Sequence, residues 1–200
     1  MADFHIAHDN TSTNEGVYSN DKRDRGGETY YGISRRFHPS WDGWDILDQY
    51  KEDKDFPDNI QHNDFLAPFV DVFYRENFWE KISGDAIVSQ DIANYLYDVA
   101  VNKGVRSAVK YLQTGCNISN REGSDWDDIL VDGLMGGNTL KALTAWTIKR
   151  GERPCVFWLF VQIMGHWKNQ ALTKPGQEVF INGIMDRHIK QLDTRIAHEH

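Results

Sequence analysis

Cysteine is scarce. Two residues, Cys116 and Cys155, among 200 cannot form the multi-bridge framework of a small secreted scaffold, and they lack C-x-x-C spacing. Such usage fits synthesis in a reducing compartment. Cations are in deficit, with 22 Lys and Arg against 30 Asp and Glu for a net charge of −8. A dedicated DNA binder needs a basic field to displace counterions from phosphates, so nucleic acid is excluded as a principal partner. Tight binding to anionic lipid fails for the same reason. No apolar run reaches the ~20 residues that span a bilayer, the longest being Cys155–Met164, interrupted by Gln162. Membrane insertion is therefore not expected. The start, Met1-Ala2-Asp3-Phe4-His5, shows no basic n-region and no apolar h-region. The expectation is cytoplasmic synthesis without a Sec signal peptide. No HExxH, Cys/His ligand set, GxxxxGK[ST], GxGxxG or GxSxG is found. Neither metal nor cofactor is expected, and His5, His8, His198 and His200 read as solvated.

What is present is ordinary for a soluble globular chain: 40% hydrophobic and 26% charged residues. Residues up to Asn14 give only a weak helical reading. Glu15 to Ile33, rich in Gly, Asp, Asn and Tyr, suggests turns and a short hairpin. Trp41 to Tyr50 suits a short helix, and Lys51 to Asp58, with Pro57, a loop. Phe65, Phe69, Val72, Phe73 and Phe78 recur at helical spacing. Ile87 to Val101 carries a broad apolar stripe, and Gly104 is placed to end that helix in a left-handed conformation. A short helix over Val105–Leu112 follows, then a turn-rich stretch to Gly137. Asn138 or Thr139 can cap a helix to about Lys149. Pro154 suits the first turn of a helix over Cys155–Leu172, which Pro175 and Gly176 break, and a last helix is expected over about Gln177–Ile196. The fold class is mainly α with a small Gly/Tyr-rich hairpin lobe near the N-terminus. One compact unit over 1–200 is expected, and a monomer.

The informative stretch runs from Asn14 to Ser34. Glu15 stands where a helix would end, just before Gly16, and acids and hydroxyls follow on a Gly-rich turn able to fold back over it. Glycoside hydrolysis needs one protonated carboxyl group to donate to the leaving oxygen and another polar group to hold water or stabilise the oxocarbenium ion. A helix C-terminus and partial burial both disfavour the carboxylate form, which would keep Glu15 a general acid near neutral pH. The same residues also read simply as a helix end and a turn with solvated acids between.

The run resembles the N-terminal signature of glycoside hydrolase family 108, the N-acetylmuramidases and secretion activators. The family pattern is E-G-G-Y-x-N-D-x-x-D-x-G-G-x-T-x-x-G-I-[ST]. Glu15, Gly16, Tyr18, Asn20, Asp21, Asp24, Gly26, Gly27, Thr29, Gly32, Ile33 and Ser34 fall on it, with Val17 in place of the second glycine. The resemblance implies a lysozyme-like helical fold and makes Glu15 the catalytic acid. By analogy with the Glu/Asp/Thr set of phage-type lysozymes, Asp24 and Thr29 would orient the attacking water. Tyr18, Asn20 and Tyr31 are expected cleft walls.

Phe73–Trp79 resembles the family's Y-x-x-x-Y/F-W segment, as an aromatic core stripe or with Trp79 flooring a sugar subsite. Tyr97–Gly104 resembles its D-x-A-V-N-x-G helix end, where Asp98 and Asn102, i and i+4, support the cleft or form a buried network. Asp132, Gly133, Gly136 and Thr139 resemble a D-G-x-x-G-x-x-T element of the peptidoglycan-binding region, and Phe180–Arg187 the closing F-x-x-G-W-x-x-R with Ile184 for Trp. The resemblance thus implies a lysozyme-like part over 1–104 and a peptidoglycan-binding-like helical part over 105–200. The expected activity is hydrolysis of the β-1,4 bond between N-acetylmuramic acid and N-acetylglucosamine, with a peptidoglycan glycan strand as partner. Action on the wall would follow release, as for a prophage endolysin. The alternative is a non-catalytic peptidoglycan-binding or secretion-associated protein on the same scaffold.

Overall fold

A computed structural model describes residues 1–12, 17–20, 26–61, 63–174, 176, 181–186 and 188–189. Helix α1 (Phe4–Ser12) leads into three two-residue strands, β1 (Tyr18–Ser19), β2 (Thr29–Tyr30) and β3 (Ile33–Ser34). They form one antiparallel sheet with β2 in the middle. Helices α2 (Gly43–Tyr50) and α3 (Ala67–Tyr74) follow, α3 running on through a π-helical turn over Arg75–Trp79. The remainder is α4 (Gln90–Lys103), α5 (Val105–Ser119), α6 (Gly137–Arg150) and α7 (Arg153–Thr173). This is the mainly helical class with a small N-terminal sheet lobe expected from the sequence. Of the stretch expected to form the last helix, residues 181–186 are helical, and most of the rest lies outside the described residues.

Helix α4 is the axis of the core. Every residue from Ile92 to Ala100 is buried, and α1, α5 and α7 pack around it. A helix covered on all sides has no polar face to spare, so its polar residues must find partners inside. The Ser89 hydroxyl accepts the Ile92 N–H at 3.3 Å and caps the start. Gly104, at φ 84°, ends the helix as its position predicts, its N–H bonding Ala100 O at 2.8 Å. Leu112, Cys116, Trp146 and Leu159 extend the same core into α5, α6 and α7. Both cysteines are free and buried. Burial pushes the Cys116 thiol up to about 12 and raises Cys155 as well, which leaves neither a nucleophile at neutral pH.

Two boundaries differ from expectation. Helix α5 continues past Leu112 because Gly115 is a packing position: a Cβ there would lie 2.5 Å from the Trp158 ring. Helix α6 starts at Gly137 with no side-chain cap. Thr139 is buried instead against Gln113, whose Nε2 reaches Thr139 Oγ1 at 3.1 Å, Asp132 Oδ1 at 2.9 Å and Leu134 O at 3.1 Å. The Gln113 carbonyl oxygen accepts the Gly133 N–H at 2.8 Å. The Asp132–Thr139 element is therefore a clamp closing the α5–α6 connection on one buried amide.

Candidate active site

Helix α1 forms although its sequence is polar. The Asp3 carboxylate accepts the N–H groups of His5 (2.8 Å) and Ile6 (3.3 Å), capping the first turn. Phe4, Ala7, His8 and Thr11 recur at three- and four-residue spacing and are all buried. That spacing is the signal by which His8 can be read as interior. The expectation that it is solvated is wrong, whereas His5 does face solvent.

The sheet is set by a tight turn. Tyr31 (φ 45°) and Gly32 (φ 78°) both take left-handed conformations between β2 and β3, the geometry that suits a two-residue hairpin. A Cβ on Gly32 would also meet the Tyr74 hydroxyl at 2.7 Å. That hydroxyl donates to Tyr31 O at 2.7 Å, fastening the turn to α3. Tyr18 pairs with Tyr30, and Ser19 with Thr29, across β1 and β2. Tyr30 is buried and its hydroxyl donates to Ile60 O at 3.0 Å.

A carboxylate that the sequence reading passed over anchors the lobe. Glu28, almost fully buried, accepts from Tyr18 Oη at 3.1 Å and pairs with Arg35 at 2.8 Å and Lys51 at 2.5 Å. Arg35 and Lys51 also hold Asp48 of α2, at 2.5 and 2.7 Å. The Arg35 hydrogen bond, with help from Lys51, pulls the Asp48 carboxyl down to about 2. Sheet and α2 are thereby joined around one cluster of alternating charges.

Between α1, the β2–β3 turn and the first half of α3 lies a cavity of about 290 Å³. His8 and Asp9 line it from α1, Tyr30 and Tyr31 from the turn, and Asn63, Asp64 and Asp71 from the α3 side. His8 Nδ1 lies 3.0 Å from Tyr97 Oη, and Nε2 lies 3.8 Å from Asp71 Oδ1. The ring stacks on Phe4 at 5.3 Å and tilts against Tyr74 at 4.8 Å.

Loss of hydration lowers the His8 pKa against the opposing pull of Asp71 and Asp9, with His5 adding slightly to the lowering. An unfolded chain then binds the proton more readily than the folded one below pH ~6.5. The stability this neutral imidazole confers is complete above ~6.5 and is lost as the pH falls through that value toward the folded pKa. Thermal unfolding at pH 7.5 and 5.5 is expected to give a smaller pH difference in Tm for His8→Gln than for the unmodified chain. Equal differences would remove His8 from this role.

Of the residues expected from sequence, Tyr18, Asn20, Thr29 and Tyr31 come together on the sheet lobe, and Tyr31 lines the cavity. Thr29, on the middle strand, donates its hydroxyl to Gly27 O at 3.2 Å. Glu15 and Asp24 lie outside the described residues. For Trp79, Asp98 and Asn102 the structure favours the core or buried-network reading over the sugar-facing one. Trp79 is fully buried, its Nε1 donating to Asp85 Oδ1 at 2.8 Å, so its ring has no open face for a sugar. Asp98 is 1% exposed on the central helix. Asn102 donates to Asp98 O at 2.8 Å and Oδ1 at 3.3 Å, and neither residue lines the cavity.

Residues 8–104 match the model of the family described as Glycosyl hydrolase 108. No curated protein matches the chain. Among solved structures, that of Brucella abortus SagA is similar, with a TM-score of 0.61 at 22% identity, covering 97% of this chain and 94% of that one. At this identity the likeness concerns the fold.

Proposed function

We propose, from the premise that over residues 8–104 the chain belongs to the Glycosyl hydrolase 108 family, that it cleaves the glycan strand of peptidoglycan as an N-acetylmuramidase. The observation that carries this reading is that the match encloses the whole Glu15–Ser34 signature. Glu15 is the general acid, protonating the oxygen between N-acetylmuramic acid and N-acetylglucosamine as the bond breaks. Asp24 assists the attacking water or stabilises the positive charge on the sugar, and Thr29 positions that water. The anchored lobe supports the assignment: Tyr74, Glu28 and Arg35 hold the sheet bearing Thr29 and Tyr31 against α3 and α2, as a site needing fixed geometry requires. Residues 105–200 contribute wall affinity, and the site of action is the cell wall.

The test is a digest of purified peptidoglycan, reduced with borohydride and resolved by mass. A muramidase leaves every new reducing end on N-acetylmuramic acid, which the reduction converts to muramitol. New ends on N-acetylglucosamine would reassign the bond. Sedimentation with sacculi but no soluble fragments would make the chain a wall-binding protein.

A further inference from the structure

Helix α3 separates two cavities. Ala67, Val70 and Asp71 face the one beside the β2–β3 turn. Phe69, Val72, Phe73 and Glu76, spaced by three and four, form the opposite face and wall a second of about 530 Å³. The connection from β3 to α2 supplies its other side through His38, Trp41 and Asp42. A helix is ~10 Å across, so a ligand in one cavity does not touch the other. The larger volume falls in the range of small-molecule sites.

We propose that this second cavity is a saccharide-binding site, separate from the cavity beside the turn and independent of the muramidase reading. Its apolar wall is preformed. Trp41 Nε1 donates to Phe69 O at 3.2 Å, and the ring stands edge-on to Trp44 at 5.0 Å. Gly43 leaves the room Trp41 occupies, since a Cβ there would lie 2.3 Å from the indole. The His38 ring meets the edge of Phe73 at 4.7 Å. A wall held this way loses little side-chain freedom when the C–H face of a pyranose settles on it. Val72, 53% exposed, keeps the surface accessible.

The polar groups select the ligand. Asp42 and Glu76 are exposed carboxylates whose side chains make no ion pair or hydrogen bond among the described residues. Asn77 donates its amide to Phe73 O at 2.8 Å, which leaves its carbonyl oxygen as an acceptor. The Ser40 hydroxyl and the His38 ring on the same wall can donate, but acceptors are in the majority and call for a ligand rich in O–H groups. Anionic ligands are repelled. A lone amine would satisfy one carboxylate and leave the other acceptors unused, whereas a sugar carries enough hydroxyl groups for all three over an apolar ring face.

The experiment titrates a β-1,4-linked tetramer of N-acetylglucosamine into the full-length Glu15→Gln chain, in which cleavage by the proposed acid is removed, and follows the tryptophan indole N–H signals by NMR. The Trp41 signal is expected to shift saturably. The further substitutions Asp42→Ala and Glu76→Ala, at exposed side chains, are expected to weaken that binding roughly tenfold while the unfolding midpoint stays unchanged. A Trp41 signal that does not move overturns the site, as does unaltered affinity in the double variant. Saturation by n-butylamine at lower concentration than by the tetramer would make it an amine site and overturn the saccharide assignment.

Discussion

Glu15→Gln is expected to release reducing ends from purified peptidoglycan roughly 10²–10⁴-fold more slowly than the unmodified chain, the span that a positioned general acid contributes. The substitution keeps the shape of the side chain and most of its hydrogen bonding, and removes only the transferable proton. Without that proton the leaving sugar must depart as an alkoxide, a far poorer leaving group. Binding should change little, so the loss belongs in kcat, with wall sedimentation retained. Asp24→Asn is the companion. If Asp24 assists the water, its loss should slow turnover without abolishing wall binding, and the two substitutions together should cost less than the product of their separate effects, because they serve one transition state. Undiminished release by Glu15→Gln, with an unchanged unfolding midpoint, ends the assignment.

Much of the fold was legible because it is encoded by local backbone chemistry. Gly104 ends α4, Pro154 sits in the first turn of α7, and the Gly/Tyr-rich stretch becomes a hairpin. Each depends on what one residue permits at φ or at an unpaired N–H, and neighbours in sequence suffice to read it. The site was less legible because its groups meet across long gaps. Glu28 is one acid among many in its segment, and only folding brings Arg35 and Lys51 to it. The spacing within α1 can mark His8 as interior, but its partners come from elsewhere, Tyr97 from α4 and Tyr74 and Asp71 from α3. The length of α5 turned on Gly115, a breaker by propensity that is retained because Trp158 and Trp146 crowd its α-carbon. The second cavity was invisible in sequence for a similar reason. Its aromatic residues have the same three-to-four spacing as a core stripe, and only the packing shows that Val72 and Glu76 stay outside.

Trp79→Ala is expected to destabilise the fold by about 3–5 kcal/mol, the cost of emptying a large aromatic site in a close-packed core. An aromatic residue in this signature can serve as sugar platform or as core, and the two roles predict opposite outcomes. A platform variant folds normally and loses affinity. A core variant loses stability first. The indole of Trp79 stands edge-on to Phe4 and Tyr97, both at 5.9 Å, which makes it the piece joining α1 to α4 across the start of the lobe. Gly84 packs so closely that a Cβ would fall 2.2 Å from the ring, and Asp85 takes the indole N–H. Collapse around the vacancy would pull α1 away from the position that aims His8 at Tyr97. Trp79→Phe should recover part of the stability by refilling the space, while Asp85 Oδ1 loses the indole donor and Oδ2 keeps Arg75 at 3.1 Å. Denaturant unfolding measures the first effect, and sedimentation of the variant with purified sacculi measures the second. Unchanged stability in Trp79→Ala together with lost glycan affinity would return Trp79 to the sugar-binding surface.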